Sequence, residues 1–149
     1  MNYKKVEKHI TNWLRIYIEN NPIKGFVLGV SGGIDSSVVS TLCAKTGFPV
    51  IVLEMSIHQD PKQVNIAKKH IEYLKDNFDN VSSQEIDLSE TYDKMKDTLG
   101  LDINMEKGEQ QVGLALANTR SRLRMVTLYS IATMNNFIVC IIMFKIRFS

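Results

Sequence analysis

The sequence predicts an α/β fold, a parallel sheet with helices packed on both faces. Short apolar runs alternate along the chain with longer segments in which apolar residues recur at helical spacing. Strands that alternate with helices imply right-handed crossovers, which place the helices over both faces of a parallel sheet. The share of hydrophobic residues, 44%, is enough to build the core of one domain of 149 residues.

The first third of the chain predicts a helix, a strand, a loop and a second helix. Residues 3–19 place apolar side chains along one stripe, and Pro22 ends the helix because proline cannot continue the turn. The apolar run 26–30 predicts a strand, and 35–45 predicts a helix with Gly47 as its C-cap. The stripe of the first helix that we expect to face the core consists of Val6, Ile10, Trp13, Leu14 and Ile18.

The rest of the chain repeats this alternation. Asp60 and Pro61 suit the N-cap and the first position of a helix, and Gly100 suits a helix end. A polar loop near Lys107 precedes a long helix and a final apolar run. The predicted strands are 48–55, 81–87 and 137–144, and the predicted helices are 60–78, 88–99 and 109–135.

The charge pattern excludes some classes of partner. The 18 basic and 16 acidic residues are scattered along the chain and give a net charge of +2, so no strong field of one sign favours nucleic acid or an anionic membrane. The amino-terminal residues lack the short apolar stretch of a signal peptide. We therefore expect a cytoplasmic protein that binds neither nucleic acid nor a membrane.

Residues 25–39, GFVLGVSGGIDSSVV, lead from a predicted strand through paired glycines into a helix. Adjacent glycines can adopt positive φ and let a ligand approach the main chain, and the helix behind them offers unpaired N–H groups at its positive end. Hydroxyls at Ser31, Ser36 and Ser37 can donate to the same anion, while Asp35 can face a Mg²⁺ ion that phosphates also bind. The pattern predicts a phosphate or pyrophosphate site; a plain tight turn with Asp35 as N-cap is the alternative.

The segment GVSGGIDSS, residues 29–37, resembles the pyrophosphate-binding loop of the N-type ATP pyrophosphatases, which include NAD, GMP, asparagine and argininosuccinate synthetases and tRNA-modifying enzymes. The resemblance implies a Rossmann-like, three-layer fold of the adenine nucleotide alpha hydrolase-like type. It also implies cleavage of ATP between the α- and β-phosphates, with Asp35 in contact with Mg²⁺. The residues that would bind ATP are Gly29, Val30, Ser31, Gly32, Gly33, Ile34, Asp35 and Ser36.

A second motif, ANTRSRLRMVTLY at residues 117–129, selects among these enzymes. On a helical wheel the stripe expected to be buried is Val112, Leu116, Leu123 and Val126. The neighbouring face carries Asn118, Arg122, Met125 and Tyr129. The motif resembles the Gly-Asn-x-x-Ala-Arg-x-Arg-Met-x-x-x-Tyr helix of the ammonia-dependent NAD synthetases, with Ala117 and Ser121 as the two departures, each one small residue for another.

This resemblance implies a reaction in which ATP adenylates the nicotinate carboxylate of deamido-NAD and ammonia then displaces AMP. It implies that Arg122 contacts deamido-NAD and that the long helix takes part in a homodimer. Arg120 and Arg124 are expected to be structural or interfacial, and Gln59 lies at the right end of the sheet to touch adenine. Such a reaction needs positioning and charge neutralisation but no protein nucleophile.

The carboxyl-terminal residues depart from the family. Ile141 and Ile142 stand where the family has a Gly-Thr turn that contacts ATP. We expect residues 1–140 to form a partial NAD synthetase domain without its carboxyl-terminal part, and 141–149 to form an apolar, basic tail that does not match. Such a chain is expected to bind ATP weakly and to make little or no amide. Two alternatives stay open: another N-type ATP pyrophosphatase, GMP synthetase-like or tRNA-modifying, and a non-catalytic ATP-binding remnant.

Overall fold

A computed structural model describes residues 2–101 and 109–141, and within these ranges it contains five helices and four strands. The helices are α1 (Tyr3–Glu19), α2 (Ile34–Ala44), α3 (Pro61–Asn77), α4 (Ser89–Leu99) and α5 (Glu109–Asn135). The strands are β1 (Phe26–Gly29), β2 (Val50–Ser56), β3 (Val81–Asp87) and β4 (Ile138–Val139). The order of elements is the one that the sequence predicts.

The strands of the described residues form one parallel sheet in the order β3-β2-β1-β4. The chain moves outward from β1 through β2 to β3, and then returns to place β4 on the other side of β1. In parallel α/β sheets a ligand binds outside the carboxyl ends of the strands, at the point where the strand order reverses. That point lies between β1 and β4, so the loop that follows β1 borders the expected ligand crevice.

Helices cover both faces of the sheet, which gives the three layers predicted from the sequence. Successive side chains of a strand point to opposite faces, so β2 divides its apolar residues between two cores. Val50 and Val52 pack with α1, α2 and α3 in a first core, whereas Ile51 and Leu53 pack with α4 and α5 in a second. Each such side chain contributes about 1.5–3 kcal/mol when fully buried. Strand β2 is therefore central to both cores.

The amino edge of the sheet, where the strands begin, is closed by hydrogen bonds between loops. Asn80 donates from Nδ2 to the carbonyl oxygens of Ala44 at 2.9 Å and Phe48 at 2.6 Å, which ties the turn after α2 to the turn before β3. Gly25 is buried at the same edge, and a Cβ on it would overlap the carbonyl oxygen of Pro49. The backbone at this edge is thus packed against backbone.

Two helix ends follow the sequence-based prediction. The Oδ1 atom of Asp60 accepts a hydrogen bond from the Lys62 N–H at 2.8 Å, and Pro61 occupies the first position of α3. Gly100 follows α4 with φ 61°, in the left-handed region that glycine adopts without a steric penalty. Both predicted caps are confirmed.

Helix α2 is shifted by one residue from its predicted span of 35–45. It begins at Ile34, with Gly33 as N-cap, and its C-cap is Lys45 rather than Gly47. Gly47 nevertheless has φ 82° and lies in the turn that follows, where a Cβ would meet no atom of the described residues within 4 Å. The left-handed residue of this turn therefore falls two positions beyond the cap.

The predicted core stripe of α1 is wrong at two positions. Leu14 and Ile18 are buried as expected, but Val6 is 41% exposed and Trp13 is 59% exposed. The buried residues of α1 lie in its second half, which packs against the first core. Helical spacing identifies one face of a helix but not how much of its length another element covers.

The predicted stripe of α5 is wrong at Val126, which is 64% exposed. The buried positions are Val112 near the start of the helix and Leu128 and Ala132 near its end. At 3.6 residues per turn, Val112 and Leu128 point roughly 160° apart. The two halves pack against different partners, since α5 contacts both α4 and the strands β1 and β4. A single stripe drawn along the whole helix cannot represent both.

The final predicted strand is short in the structure. Within the described residues β4 consists of Ile138 and Val139, which pair with Phe26 and Val27 of β1. The rest of the predicted run 137–144 from residue 142 onward, and the polar loop near Lys107, lie outside the described residues. No helix in the described ranges combines the length and the apolar character needed to cross a membrane.

Candidate functional site

The loop between β1 and α2 stands at the carboxyl edge of the sheet, next to the reversal of strand order. The Val30 N–H donates to the Leu53 carbonyl oxygen at 2.8 Å, so the loop starts from a point fixed against β2. Four residues later α2 begins at Ile34. The residues predicted to bind ATP, 29–36, are therefore brought together around a single turn.

Serine hydroxyls hold this loop in one conformation. The Oγ atoms of Ser36 and Ser37 both donate to the Gly33 carbonyl oxygen, at 2.9 and 3.1 Å. The Ser36 Oγ lies 3.3 Å from the Ser31 backbone nitrogen and accepts its N–H, while the Ser31 Oγ accepts the Gly33 N–H at 3.4 Å. The loop is therefore organised by its own side chains before any ligand binds.

Gly32 is the residue that this conformation requires. Its φ of 81° lies in the left-handed region, where a residue with a side chain loses about 1–2 kcal/mol. A Cβ at Gly32 would also stand 2.9 Å from the carbonyl oxygen of Gln63 and 3.3 Å from the backbone nitrogen of Ala67, both on α3. Glycine thus allows the loop to turn sharply while lying directly against α3.

The start of α2 presents backbone donors without a partner inside the helix. The first N–H groups of any α-helix lack an intrahelical acceptor, and within the described residues no side chain caps α2 at Gly33. The first turn is accessible, because Ile34 is 75% exposed and Asp35 is also exposed. Free N–H groups and the positive end of the helix dipole together favour a phosphate or another anion.

A cavity of about 210 Å³ opens beside the loop, at the carboxyl ends of β1 and β2. The loop, β2, α3 and α5 all contribute to its walls. Its polar lining residues are Ser31, Glu54, Gln59, Gln63 and Arg124. Typical small-molecule sites measure about 300–1,000 Å³, so this cavity suits one portion of a nucleotide rather than a whole dinucleotide.

Arg124 connects α5 to the end of β2. Its Nε donates to the Met55 carbonyl oxygen at 3.0 Å, and its Nη2 donates to the Gln59 Oε1 at 3.0 Å. Burial lowers the pKa of the Arg124 guanidinium, the nearby charge of Arg120 lowers it further, and Glu54 acts in the opposite direction. Arg124 therefore has a structural contact, as expected, and also lines the cavity. Gln59 lies at the edge of the sheet where the sequence places it.

Arg122 lies outside this cavity. Its side chain is exposed on α5, on the same side of the helix as the exposed Asn118 and Tyr129. Met125, predicted for the same face, is half-buried and packs against the second core. Arg120 lies on another side, with its guanidinium carbon 4.9 Å from the centre of the Tyr92 ring. The structure thus separates the arginines into two groups, as the helical wheel predicts.

The residues around the loop fit a magnesium ion only together with phosphate. Among the described residues, no group of three or more His, Cys, Asp or Glu side chains could hold a metal ion. Asp35 is exposed in the first turn of α2, beside the N–H groups that suit an anion. Because Mg²⁺ prefers hard oxygen ligands and commonly combines one carboxylate with phosphate oxygens and water, Asp35 is a suitable partial ligand.

These features define the class of protein: a parallel α/β domain in which the loop after β1 and the start of α2 offer backbone donors suited to an anion. The family follows from comparison with known proteins, since the profile described as NAD synthase matches residues 6–143. The chain belongs to the NAD synthase family.

Individual relatives agree with this membership. The NH(3)-dependent NAD(+) synthetase of Finegoldia magna is 36% identical over 140 residues, and that of Mycoplasma genitalium is 33% identical over 140 residues. These matches cover 93% of this chain in both cases, but 53% and 52% of the relatives. The chain therefore spans about half the length of the curated relatives that it matches.

Solved structures support the fold. An NMN synthetase from Francisella tularensis superposes with a TM-score of 0.78 at 30% identity, covering 93% of this chain and 53% of that one. An NH3-dependent NAD synthetase from Campylobacter jejuni, in complex with a nitrate ion, gives a TM-score of 0.77 at 25% identity and covers 93% and 56%. The α/β fold and its parallel sheet are those of NAD synthetases.

The sequence-based reasoning missed Glu54 and Gln63. Glu54 lies within the run FPVIVLEM, which was expected to form a fully buried strand, and it is 5% exposed in the structure. A charged side chain inside an otherwise apolar strand is itself a signal, because glutamate is seldom fully buried without a role or a partner. Gln63 offers no such signal, since its place in the cavity wall depends on how α3 lies across β2.

Proposed function

We propose that this chain supplies the ATP-binding part of an ammonia-dependent NAD synthetase. The observation that supports this most directly is the loop after β1, which offers open helix N–H groups beside a mainly apolar cavity with a few polar side chains, at the reversal of strand order. Membership in the NAD synthase family supplies the reaction class, a ligase that uses ATP. The same membership favours NAD synthesis over GMP synthetase-like or tRNA-modifying chemistry.

In this proposal the loop holds the part of ATP that leaves as pyrophosphate. Residues 29–36 form the site for the β- and γ-phosphates, and the donors are the open N–H groups at the start of α2. The Ser31 and Gly33 N–H groups already donate to the Ser36 and Ser31 hydroxyls, which stabilise the loop in the binding conformation. Because the hydrogen bonds inside the loop exist without a ligand, the N–H groups need little reorganisation when charge moves onto the leaving pyrophosphate. Preorganised donors of this kind are the main source of electrostatic stabilisation in enzymes.

The proposed reaction balances in two steps. A carboxylate oxygen of the nicotinate group of deamido-NAD attacks the α-phosphorus of ATP. The bond between the α-phosphorus and the oxygen that bridges it to the β-phosphate breaks, and pyrophosphate leaves with that oxygen. Ammonia then attacks the acyl carbon and AMP leaves with the former carboxylate oxygen, while one proton of ammonia passes to solvent. Each step needs aligned reactants and neutralised charge, and alignment alone can supply several kcal/mol of the barrier.

Magnesium fits this scheme as an ion that Asp35 and the phosphates would bind together. Asp35 would hold the ion together with phosphate oxygens, and the ion would supply positive charge that lowers the repulsion between the nucleotide and incoming anions. Asp35 itself adds a negative charge near the phosphates, so its carboxylate favours binding only when the cation lies between them. The need for the ion is therefore part of the proposal.

Arg122 is proposed to contact deamido-NAD, and the exposed side of α5 is proposed to pack against a second copy of the chain. Arg122 is exposed, and among the described residues it forms no ion pair with an acidic side chain. Large apolar side chains accompany it on the exposed surface of α5, with Val126 at 64% and Tyr129 at 57% exposure. A guanidinium beside an aromatic ring suits a ligand that carries both phosphate and a ring.

A second candidate keeps the chemistry but changes the substrate. The Francisella tularensis structure is of an NMN synthetase, and it is 30% identical to this chain. Amidation of the nicotinate mononucleotide would use the same loop, the same ATP cleavage and the same ammonia. The two candidates differ only in whether the carboxylate substrate carries a second nucleotide.

One set of measurements tests the proposal. Calorimetric titration of the purified chain with ATP in the presence of Mg²⁺ measures binding, and release of AMP and pyrophosphate is followed with ammonia and either deamido-NAD or the mononucleotide acid. ATP binding that requires Mg²⁺, with AMP release that depends on deamido-NAD, supports the proposal. Release with the mononucleotide alone supports the second candidate, and failure to bind ATP contradicts both. The expectation that amide synthesis by these 149 residues is slow or absent stays a prediction, and this assay measures it.

The role of Arg122 is tested by Arg122→Ala with Arg15→Ala as the matched control, since both arginines are exposed on helices. Losing a charge-assisted hydrogen bond costs about 1.5–3 kcal/mol, so the affinity for deamido-NAD should fall roughly tenfold or more. The affinity for ATP should not change, because Arg122 lies outside the cavity beside the loop. Equal affinities for deamido-NAD in the two variants would contradict the assignment.

A further inference from the structure

Glu54 is a buried carboxylate that the functions described so far leave unexplained. It lies on β2 and is 5% exposed. By the alternation of the strand it points to the same face as Val50 and Val52, toward α3. There it lines the cavity beside the loop, together with Val64 and Ala67 of α3.

The Glu54 carboxylate has no protein partner among the described residues. Burial raises the pKa of Glu54, the charges of Glu85 and Asp87 raise it further, and Lys68 and Arg124 lower it. Lys68 on α3 bonds to Glu85 instead, at 2.7 Å. The carboxylate oxygens are not sealed from solvent, and they face the cavity. A ligand in the cavity that brings hydroxyl donors could therefore replace water at this carboxylate, and hydrogen bonds to charged groups are among the stronger ones.

The position of Glu54 relative to the loop indicates which part of a nucleotide would reach it. Gly29 pairs with Leu53 in the register of β1 and β2, and Glu54 is the next residue along β2. Neighbouring strands lie about 4.8 Å apart, so Glu54, one residue past Leu53, lies somewhat more than one strand spacing from Gly29, where the loop begins. The group that follows the phosphates of a nucleotide is the ribose, whereas the base lies farther away.

An acid in this place has a physical precedent in other α/β folds. In dinucleotide-binding sheets, an Asp or Glu about 20 residues after the glycine loop accepts a hydrogen bond from a ribose hydroxyl. Glu54 follows the paired glycines of this chain at a comparable distance, and it likewise lies on the strand after the first crossover. The loop sequence differs, so the comparison concerns only where the topology puts a carboxylate.

We propose that the Glu54 carboxylate accepts hydrogen bonds from the ribose hydroxyls of bound ATP and makes this chain selective for ribonucleotides. The inference rests on the proposed ATP-binding function and adds a residue that determines specificity. The ribose hydroxyls would donate to the carboxylate oxygens that face the cavity. Gln59 and Gln63 also line the cavity, and their side chains remain for polar atoms of the base.

The experiment compares ATP with 2′-deoxyATP, 3′-deoxyATP and ITP, each titrated calorimetrically in Mg²⁺ into the unaltered chain, Glu54→Gln and Glu72→Gln. Glu72 is the matched control, because it is exposed on α3 and is not one of the charges that shift the pKa of Glu54. The unaltered chain and Glu72→Gln should bind ATP about tenfold or more tightly than a deoxy analogue, given the strength of hydrogen bonds to charged groups. Glu54→Gln should lose most of this preference by binding ATP less tightly.

Each other result counts against the inference. If the unaltered chain binds ATP and both deoxy analogues equally well, ribose selectivity is absent. This comparison uses only the unaltered chain, so it is valid even if a variant fails to fold. If Glu54→Gln retains the preference, or instead changes the ratio of ATP to ITP, the carboxylate does not read the ribose. If ATP does not bind to the unaltered chain at all, the proposed function itself is wrong, which is a distinguishable outcome.

Discussion

The two edges of the sheet use the same kinds of residue for opposite purposes. At the amino edge, Gly25 lets one backbone pack against another, and the Asn80 amide satisfies two carbonyl oxygens. At the carboxyl edge, Gly32 lets the loop approach α3, yet the helix N–H groups beside it stay open, and Glu54 faces the cavity without a protein donor among the described residues. The amino edge is closed and contributes stability. The carboxyl edge leaves hydrogen-bonding groups open, and a ligand can bind to them.

The largest effect is expected from Gly25→Ala, which tests the closed edge. The added Cβ would overlap the Pro49 carbonyl oxygen and approach the Phe137 ring at 2.9 Å. Overpacking of this kind costs about 1–3 kcal/mol or more, and backbone is harder to displace than a side chain, so a loss of about 3 kcal/mol is expected. Urea unfolding measures it. ATP affinity of the folded fraction should be unchanged.

The matched control is Gly113→Ala, in α5, where a Cβ meets no atom of the described residues within 4 Å. Removing a glycine from a helix interior usually stabilises a protein by about 0.5–1 kcal/mol. If Gly25→Ala were as well tolerated as Gly113→Ala, the amino edge would not be packed as described.

Gly32→Ala tests the open edge and should affect binding more than stability. The left-handed φ costs about 1–2 kcal/mol, and the contact with the Gln63 carbonyl forces the loop to move. Because the loop N–H groups then lose their alignment, ATP affinity should fall about tenfold or more, as measured by calorimetry. Gly47→Ala shares the same φ, 82° against 81°, but lies far from the loop along α2. Gly47→Ala should lose stability through the same left-handed φ and keep its ATP affinity. If both variants lost ATP affinity to the same extent, the loop at Gly32 would have no special part in binding.

Asn80→Ala should weaken the closed edge by a smaller amount. The variant leaves the carbonyl oxygens of Ala44 and Phe48 without their donor, which costs about 1–2 kcal/mol when such groups are partly buried. Asn77→Ala serves as the control, since its exposed amide bonds only to the Tyr73 carbonyl one turn earlier and the change should stay within about 0.5 kcal/mol. Thermal or urea unfolding of both variants gives the comparison, and equal losses would contradict it.

Glu54 makes the open edge sensitive to pH. Its pKa is raised in the folded state by burial and by Glu85, so the folded chain holds this proton at pH values where the unfolded chain has released it. Stability from this group is therefore present below the ordinary pKa of 4.5 and is lost as pH rises through the raised value. Relative to Glu54→Gln, whose side chain does not titrate, the unaltered chain should become less stable over that interval and then level off. Urea midpoints at a series of pH values measure the difference, and a constant difference would exclude the effect.

Much of the fold follows from local sequence signals. The boundaries of α1 and α5, the Asp60 cap and the position of the glycine loop were all predicted, because each depends on residues within a few positions of one another. The exposure of Val126 and the place of Gln63 in the cavity wall could not be predicted in this way. Both depend on which element packs above them, and that information lies in the arrangement of α3, α4 and α5 over the sheet.

The candidate site divides in the same manner. Its loop is a continuous stretch, so the spacing of glycines and serines identifies it directly, whereas the cavity is assembled from four elements that are distant in sequence. Arg122 illustrates the difference: the motif selects it, yet the structure puts Arg124, two residues farther on, in the cavity wall.

The hydrogen bonds of Arg124 join α5 to the end of β2. Two residues earlier on the same helix Arg122 is exposed, while Arg124 donates to Met55 and Gln59 beside the cavity. If binding at one of these positions displaced the helix, it would displace the other position as well. Any such coupling would be reciprocal, so that each ligand would change the affinity of the other by the same factor.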